Sequence, residues 1–287
     1  MELISQEQAL AETPLKAGER AYLFASRRFD GLEFLAATFR THAYAPHAHD
    51  TYAIGTIEVG CEVWHARGRK LYAGAGDIVM NQPLDVHDGA PSEGGYRYRM
   101  SYPTVALLQE LAASLTGRDA RGTPFFREPV TRDPEGAALF GAAHRLVETG
   151  SDGLAGEEAL LRAYAWMLGR HADLTVCAVG REGGPVSVVK ALIEACHEQD
   201  LALSDLARAA GLPRHHLIRV FRRETGLTPH AFLVDVRVRR ARDRLRRGET
   251  PGEVAAATGF CDQAHLTRAF KARLGVTPGA FRAAHLS

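Results

Sequence analysis

Hydrophobic positions along the chain change period twice. From about Arg40 to Tyr102 the β-prone runs are short, Ile54, Thr56 and Ile57 through Trp64 among them. Gly55, Gly60, Gly68, Gly74 and Gly76 punctuate these runs. Ala75-Gly76-Asp77 reads as a turn feeding the strand Ile78-Val79-Met80. Closely spaced strands of this kind predict a small β-barrel or sandwich. Beyond Tyr102 the apolar residues recur at helical spacing. Val105, Leu107, Leu108, Leu111 and Leu115 make one group, Leu139, Ala143, Leu146 and Val147 a second, and Leu160, Leu161, Tyr164 and Leu168 a third. Three helices are expected there, covering one side of the barrel or the matching helices of a partner. The glycines and proline of Val179 to Pro185 favour neither period, and this stretch reads as a linker.

From Val186 onward every apolar pattern is helical. Val188, Val189, Leu192, Ile193 and Cys196 form one face, and Ser204 is a candidate cap for a helix ending at Gly211. Val234, Val238, Ala241 and Leu245 predict a long helix after Pro229, with Gly248 at its C-terminus. Thr250-Pro251-Gly252-Glu253 has the form of a capping box with proline at the first helical position. The expected architecture is therefore α+β in two domains. Residues 1–178 hold the barrel and its flanking helices, 179–185 the linker, and 186–287 an all-α domain.

Within the helical part the chain repeats itself. Leu206 to Leu233 aligns with Val254 to Arg282, so that Gly211 matches Gly259, Phe221 matches Phe270, and Gly226-Leu227-Thr228-Pro229 matches Gly275-Val276-Thr277-Pro278. A repeat offset of about 48 residues predicts two copies of one supersecondary unit. A helix-turn-helix needs a small residue where its helices cross, a turn residue tolerant of φ > 0, and an apolar anchor on the second helix. Ala207, Gly211 and Leu217 supply these in the first copy; Ala255, Gly259 and Leu266 do so in the second, with one extra residue before the anchor. Val220 and Phe221, or Ala269 and Phe270, continue the buried stripe.

That placement turns Arg214, His215, Ile218, Arg219 and Arg222 outward on the first reading helix. On the second it turns out Gln263, Ala264, His265, Thr267, Arg268 and Lys271. Arg219 and Arg268 sit two residues after their anchors, where a guanidinium can pair bidentately with guanine, worth ~1–3 kcal/mol of discrimination. Gln263 suits adenine, Ile218 and Thr267 suit a thymine methyl, and Arg222 and Lys271 suit phosphates. The plainer alternative is ordinary exposed residues on small helical bundles.

Charge favours the first reading. The net charge of +1 over 287 residues hides a division. Residues 183–287 hold 17 Lys and Arg against 10 Asp and Glu, leaving 18 against 24 for residues 1–182. A basic module joined to a mildly acidic remainder fits nucleic-acid binding. Hydrophobic residues at 46% are ordinary for a globular protein, and no apolar run reaches the ~18 residues of a membrane span. The start MELISQEQAL lacks a basic and an apolar signal region, and Cys61, Cys177, Cys196 and Cys261 show no CxxC pairing. A cytoplasmic location with reduced cysteines is expected.

Gly259 to Lys271, of the form GF-x-D-Q-x-x-L-x-R-x-F-K, and the G-x-T-P closings resemble the C-terminal DNA-binding domain of the AraC/XylS family of transcription regulators. In that family a long helix joins two helix-turn-helix units. Two residues depart from the pattern: Pro213 stands where the family often has a capping serine, and Ala264 replaces another frequent serine. His47-Ala48-His49-Asp50, the Gly76-Asp77-Ile78 turn and the Pro83 to His87 spacing resemble the cupin-type sensor domain of many such regulators. The resemblance implies a one-component regulator rather than an enzyme, with double-stranded promoter DNA, a small-molecule effector, a second copy of the chain and RNA polymerase as partners, and no membrane. Helices at 135–149 and 157–170 are the candidate dimer surface.

For the effector pocket, His47, His49, Tyr52, Trp64, His87 and Arg99 are the candidate lining, with Arg97 beside them. Three imidazoles suit a divalent metal. Metal-binding cupin enzymes add a glutamate four or five residues past the histidine pair, and here Ala53 and Ile54 stand there, with Glu58 the nearest acid. The expectation is therefore a pocket with no metal, no cofactor and no catalytic residue. A cupin enzyme oxidising a small molecule, and a thiol sensor built on Cys61 or Cys261, are the competing classes.

Overall fold

A computed structural model describes residues 15–117, 122–150, 152–174, 183–274 and 276–286. The chain forms two compact units, one from Met1–Thr149 with Ala159–Cys177, the other from Gly150–Glu158 with Ala178–Ser287. Gly150–Glu158, which the sequence assigned to the first domain, falls in the second unit. Three carboxylates join that segment to the second unit. Asp152 accepts from His230 Nε2 at 2.7 Å, Glu158 from the His230 backbone N–H at 2.6 Å, and Glu157 from the Leu203 N–H at 3.2 Å. Of the expected linker, 179–182 lies outside the described residues, and 183–185 already forms the first turn of a helix.

Among the described residues the first unit carries an eight-stranded antiparallel sheet. Its strands are β1 (Arg20–Ser26), β2 (Leu32–Phe39), β3 (Tyr44–His47), β4 (Ala53–Ala66), β5 (Arg69–Gly74), β6 (Asp77–Asn81), β7 (His87–Ser101) and β8 (Val130–Arg132). The hairpin β1–β2 precedes the region where the strand pattern was first legible. The sheet runs β1-β2-β7-β4-β6-β8, with β3 on β7 and β5 on β4 as side branches. The two long strands are each shared. The first half of β4 pairs β6 and its second half pairs β5, while the two halves of β7 pair β3 and β2 in turn.

The bend between these halves is built by bulges in the β4–β7 ladder, between Ile57 and Val59 and again between Gly60 and Glu62. Gly60 sits at φ +77°, where a Cβ would stand 2.0 Å from the Gly95 carbonyl oxygen, so the close approach needs glycine. Leu35, Phe39, Ile57, Trp64, Tyr96, Tyr98 and Met100 form the core enclosed by the bend.

Among the described residues of this part of the chain lie three helices, α1 (Val105–Thr116), α2 (Pro134–Thr149) and α3 (Gly153–His171). Thr104 caps α1 through the Leu107 N–H, and Gly117 closes it at φ 66°. On α2 the buried face is Ala137, Phe140, Ala143 and His144, while Leu139, Leu146 and Val147 are only half-buried. On α3 burial runs nearly all round, through Leu154, Leu160, Leu161, Ala163, Tyr164, Met167 and Leu168. Of the two candidate dimer helices, α2 keeps a partly open stripe of Leu139, Leu146 and Val147, while on α3 the half-open apolar residues are Ala155, Ala159, Ala165 and Trp166.

The second unit contains α4 (Gly183–Cys196), α5 (Leu203–Ala210), α6 (Arg214–Thr225), α7 (Pro229–Arg246), α8 (Pro251–Ala257), α9 (Gln263–Leu274) and α10 (Pro278–Leu286). Threonine followed by proline starts three of them. Thr228 caps the Ala231 N–H, Thr277 caps the Ala280 N–H, and Thr250 makes a full capping box with Glu253. Ser204 does not cap α5; the helix starts one residue earlier, with no side-chain cap at Ala202, and Glu157 takes the Leu203 N–H instead. No helix among the described residues is long and apolar enough to cross a membrane.

Candidate functional site

Two places combine exposed or unpaired polar groups with a rigid support. The first is the pair of helices α6 and α9. Each is anchored by its buried stripe: Leu217, Val220 and Phe221 on α6, with Phe221 edge-on to Phe232 at 5.6 Å, and Leu266, Ala269 and Phe270 on α9, with Phe270 edge-on to Phe281 at 5.4 Å. The turns before them pass through Gly211 at φ 65° and Gly259 at φ 80°. Pro213 gives α6 no side-chain cap, as its ring implies, whereas Asp262 accepts the His265 N–H and caps α9.

Long helix α7 serves both turn units. Its Arg237 is buried, yet its guanidinium is satisfied by the carbonyl oxygens of His197 at 2.7 Å and Gln199 at 2.9 Å, beyond the end of α4. Burial lowers the Arg237 guanidinium from its ordinary value, while nearby acids raise it. It also lies over the Phe260 ring at 6.0 Å. One side chain thus ties the approach to the first turn unit to the turn of the second.

On the outer face of these helices, Arg222, Gln263, Ala264, Arg268 and Lys271 are exposed, and Arg214, Arg219 and Thr267 are half-buried. The Thr267 hydroxyl donates to the Gln263 carbonyl at 2.8 Å, so its own helix occupies it. Three expected outward residues are otherwise engaged. His215 and Ile218 are 7% and 9% exposed, closed to solvent. Helical spacing gives a side chain's direction from the axis, not what covers it there. Burial lowers the His215 imidazole to about 4, with the Arg219 charge adding to the fall, so it is neutral near pH 7. His265 is half-buried, its Nδ1 3.2 Å from Cys261 Sγ and its Nε2 3.9 Å from Asp152.

The second place is a cavity between the two halves of the bent sheet. Tyr44, His47, His49, Ala53, Glu62, Trp64, Val79, Asn81, His87, Asp88, Tyr98, Met100 and Tyr102 line it. His47, His49, Trp64 and His87 are thereby brought together as the sequence expected; Tyr52 and Arg99 are not. Both misses are matters of parity along a strand. In β7, Tyr96, Tyr98 and Met100 face the core, which puts Arg97 and Arg99 on the opposite face, where both pair with Glu58 at 2.9 Å. In β4, Ala53 and Ile57 face in before the bulge and Glu62 and Trp64 after it, so the parity flips at Glu58. Tyr52, even-numbered like Trp64, therefore falls on the other side and donates its hydroxyl to the Pro124 carbonyl at 2.6 Å. The same flip makes Glu62, not Glu58, the carboxyl of the cavity. The alternation of Tyr96, Tyr98, Met100 and Tyr102 was the signal that could have found the aromatic wall.

The polar wall is strongly desolvated. Burial pushes the Glu62 carboxyl up to about 7, with the Asp88 charge adding and a hydrogen bond from the Tyr96 hydroxyl, at 3.0 Å, opposing. The Tyr44 and Tyr98 hydroxyls lie 2.9 Å apart. Burial lowers the His87 imidazole to about 4; the Asp85 carbonyl opposes this, and His47 and His49 reinforce it. Trp64 Nε1 and Asn81 Oδ1 are buried and have no hydrogen-bond partner among the described residues. A buried polar atom left unpaired costs about 1–3 kcal/mol, so two in one cavity point to a polar occupant.

Known proteins agree with this division. Residues 31–164 match the model of the AraC-like ligand binding domain, and residues 206–284 that of a helix-turn-helix domain. The HTH-type transcriptional regulator YbfI of Bacillus subtilis (strain 168) is 28% identical over 77% of this chain and 80% of its own length. The transcriptional activator NphR of a Rhodococcus species is 32% identical over 45% of this chain and 35% of its own.

Proposed function

The chain belongs to the AraC/XylS family of transcription regulators, and from that premise we propose how its two sites divide the work. It is a DNA-binding regulator with an N-terminal ligand-binding domain and a C-terminal helix-turn-helix region. The DNA contacts are assigned to α6 and α9, entering successive major grooves of one promoter. Arg268 and Arg219 read guanine, Gln263 reads adenine, and Arg222, Lys271 and Arg214 hold phosphates. The observation that carries this is the pair of matched helices, each fixed from behind by a sealed apolar stripe, with Arg222, Arg268 and Lys271 exposed in front. Ala264 and the Thr267 methyl fit an apolar contact beside them. His215, Ile218 and His265 have no base contact in this arrangement.

A small polar effector occupies the cavity around Trp64, Asn81 and the three histidines. It regulates by binding one arrangement of the protein more tightly than another, since an effector indifferent to arrangement shifts nothing. No residue is given a catalytic role. A homodimer formed through the half-open stripe of α2, a cytoplasmic location and contact with RNA polymerase complete the reading.

Footprinting on the promoters flanking its own gene tests the DNA assignment. Arg268→Ala and Arg219→Ala should each relax base preference at one half-site, by ~1–3 kcal/mol, more than they weaken nonspecific binding. Equal loss on every sequence would make them phosphate contacts, and no preferred site would sink the regulator assignment.

A further inference from the structure

Resting on the assignment of the cavity as a ligand site, we propose that His47, His49 and His87 together hold one divalent transition-metal cation there. The three side chains converge from separate backbone segments, since His47 ends β3, His49 follows it in the connecting loop and His87 begins β7. Their ring centroids are 4.6, 4.8 and 5.4 Å apart, with interplanar angles of 51–73°, so the rings surround a common point and do not stack. One nitrogen from each lies within 4.8 Å of the other two. Metal–nitrogen bonds of about 2.0–2.1 Å in a tetrahedral site require nitrogens about 3.4 Å apart, so an inward shift of about 0.8 Å or less per ring closes the site.

Two tautomers are already set for it. His47 Nδ1 is 2.7 Å from the Ala45 carbonyl and His87 Nδ1 is 2.9 Å from the Asp85 carbonyl. A carbonyl only accepts, so each Nδ1 carries the proton and each Nε2 keeps its lone pair for a ligand. That carbonyl–imidazole relay is the outer-shell arrangement that orients metal-bound histidines. The bond from the His87 to the Asp85 carbonyl also spans only two residues, which fixes the ring at the strand's first position.

The donor set selects the class of cation. Three imidazoles without a thiolate suit zinc, ferrous iron, cobalt or nickel, and argue against calcium and magnesium, which take oxygen shells. Glu62, Tyr44 and Tyr98 line the same cavity and carry oxygen atoms. With three protein nitrogens the fourth position stays open to water or to an oxygen of a small ligand. The effector is then the cation itself or a small oxygen donor bound to it.

Untagged full-length protein, stripped with chelator and dialysed against Co²⁺, tests the site. The expected result is one Co²⁺ per chain with the intense ligand-field absorption of a four-coordinate site, and affinity reduced at least about tenfold in His49→Ala and in His87→Ala. Absence of saturable binding near one per chain, or undiminished binding in both variants, overturns the proposal. Should a variant fail to fold, X-ray absorption on the loaded wild type decides. Imidazole scattering from three ligands at about 2.0–2.1 Å upholds the site, and a shell of oxygen alone overturns it. Gel-shift binding to the footprinted promoter, measured on the same stripped and loaded samples, keeps this outcome separate from the regulator assignment.

Discussion

Gly259→Ala should damage the second turn unit far more than Gly211→Ala damages the first, although the two glycines are equivalent in the repeat. Both have left-handed backbone, at φ +80° and +65°. A Cβ in that region costs about 1–2 kcal/mol. Around Gly211 an added Cβ meets nothing within 4 Å, so that conformational penalty should be the whole effect. At Gly259 the same atom would stand 2.7 Å from the His197 carbonyl oxygen, 2.8 Å from that of Glu198 and 3.0 Å from Arg237 Nε. Two of these are backbone atoms, and His197 is held in place by its bond to Arg237. Overpacking of this kind adds about 1–3 kcal/mol. The expected totals are therefore about 1–2 kcal/mol at Gly211 and about 2–5 kcal/mol at Gly259. Urea unfolding of the full chain measures both. Most of the described helical residues lie in the second unit, so helical ellipticity is weighted towards it, while the chain's two tryptophans, Trp64 and Trp166, lie in the first and report it separately. Equal shifts of the helical midpoint in the two variants would refute the steric argument, and a larger shift at Gly211 would reverse it.

Other outcomes follow from local features. Thr250→Ala removes one half of the capping box on α8 and should lower helical-unit stability by about 0.5–2 kcal/mol in the same unfolding assay; an unchanged midpoint would mean the box contributes nothing. Glu19 is buried, which raises its carboxyl, but N–H groups of Lys16, Thr41, Arg40 and His42 outweigh that and hold it far below its ordinary 4.5. Because the folded value is depressed, its stabilisation is present above about pH 4.5 and is lost as pH falls below it. The melting-temperature gap between wild type and Glu19→Gln should therefore narrow on acidification, and a widening gap would contradict the assignment. Melting temperature should rise when Zn²⁺ or Co²⁺ is added to stripped protein, through preferential binding to the folded state, and should not rise with Ca²⁺.

Helical features were legible in the sequence because they are local. Spacing at three and four residues placed Leu217, Leu266, Phe221 and Phe270 correctly inward, and Pro229 and the Thr250-Pro251 pair marked helix starts that the structure shows. What escaped depended on distant segments. The Leu203 N–H finds its acceptor in Glu157, which no reading of the residues around Ser204 can supply. His215 and Ile218 were turned outward by the helical wheel, yet both are covered. In the sheet, four of six pocket residues were found by residue type. Tyr52 was misplaced because one additional residue at Glu58 reverses which face every earlier side chain of β4 takes, and nothing in the local composition announces that residue. Arg99 was misplaced although strict alternation with Tyr98 and Met100 already pointed it away.

The grip of Arg237 on the carbonyls of His197 and Gln199 has a bearing on target choice. A caliper whose jaws are riveted has a single setting. If α6 and α9 read the bases as proposed, the distance between the base pairs they sample is set by contacts within this helical unit. Signal can alter how readily the tool is presented, or how many are presented together, but not its gauge. Every operator it serves should therefore share one spacing between its two motifs.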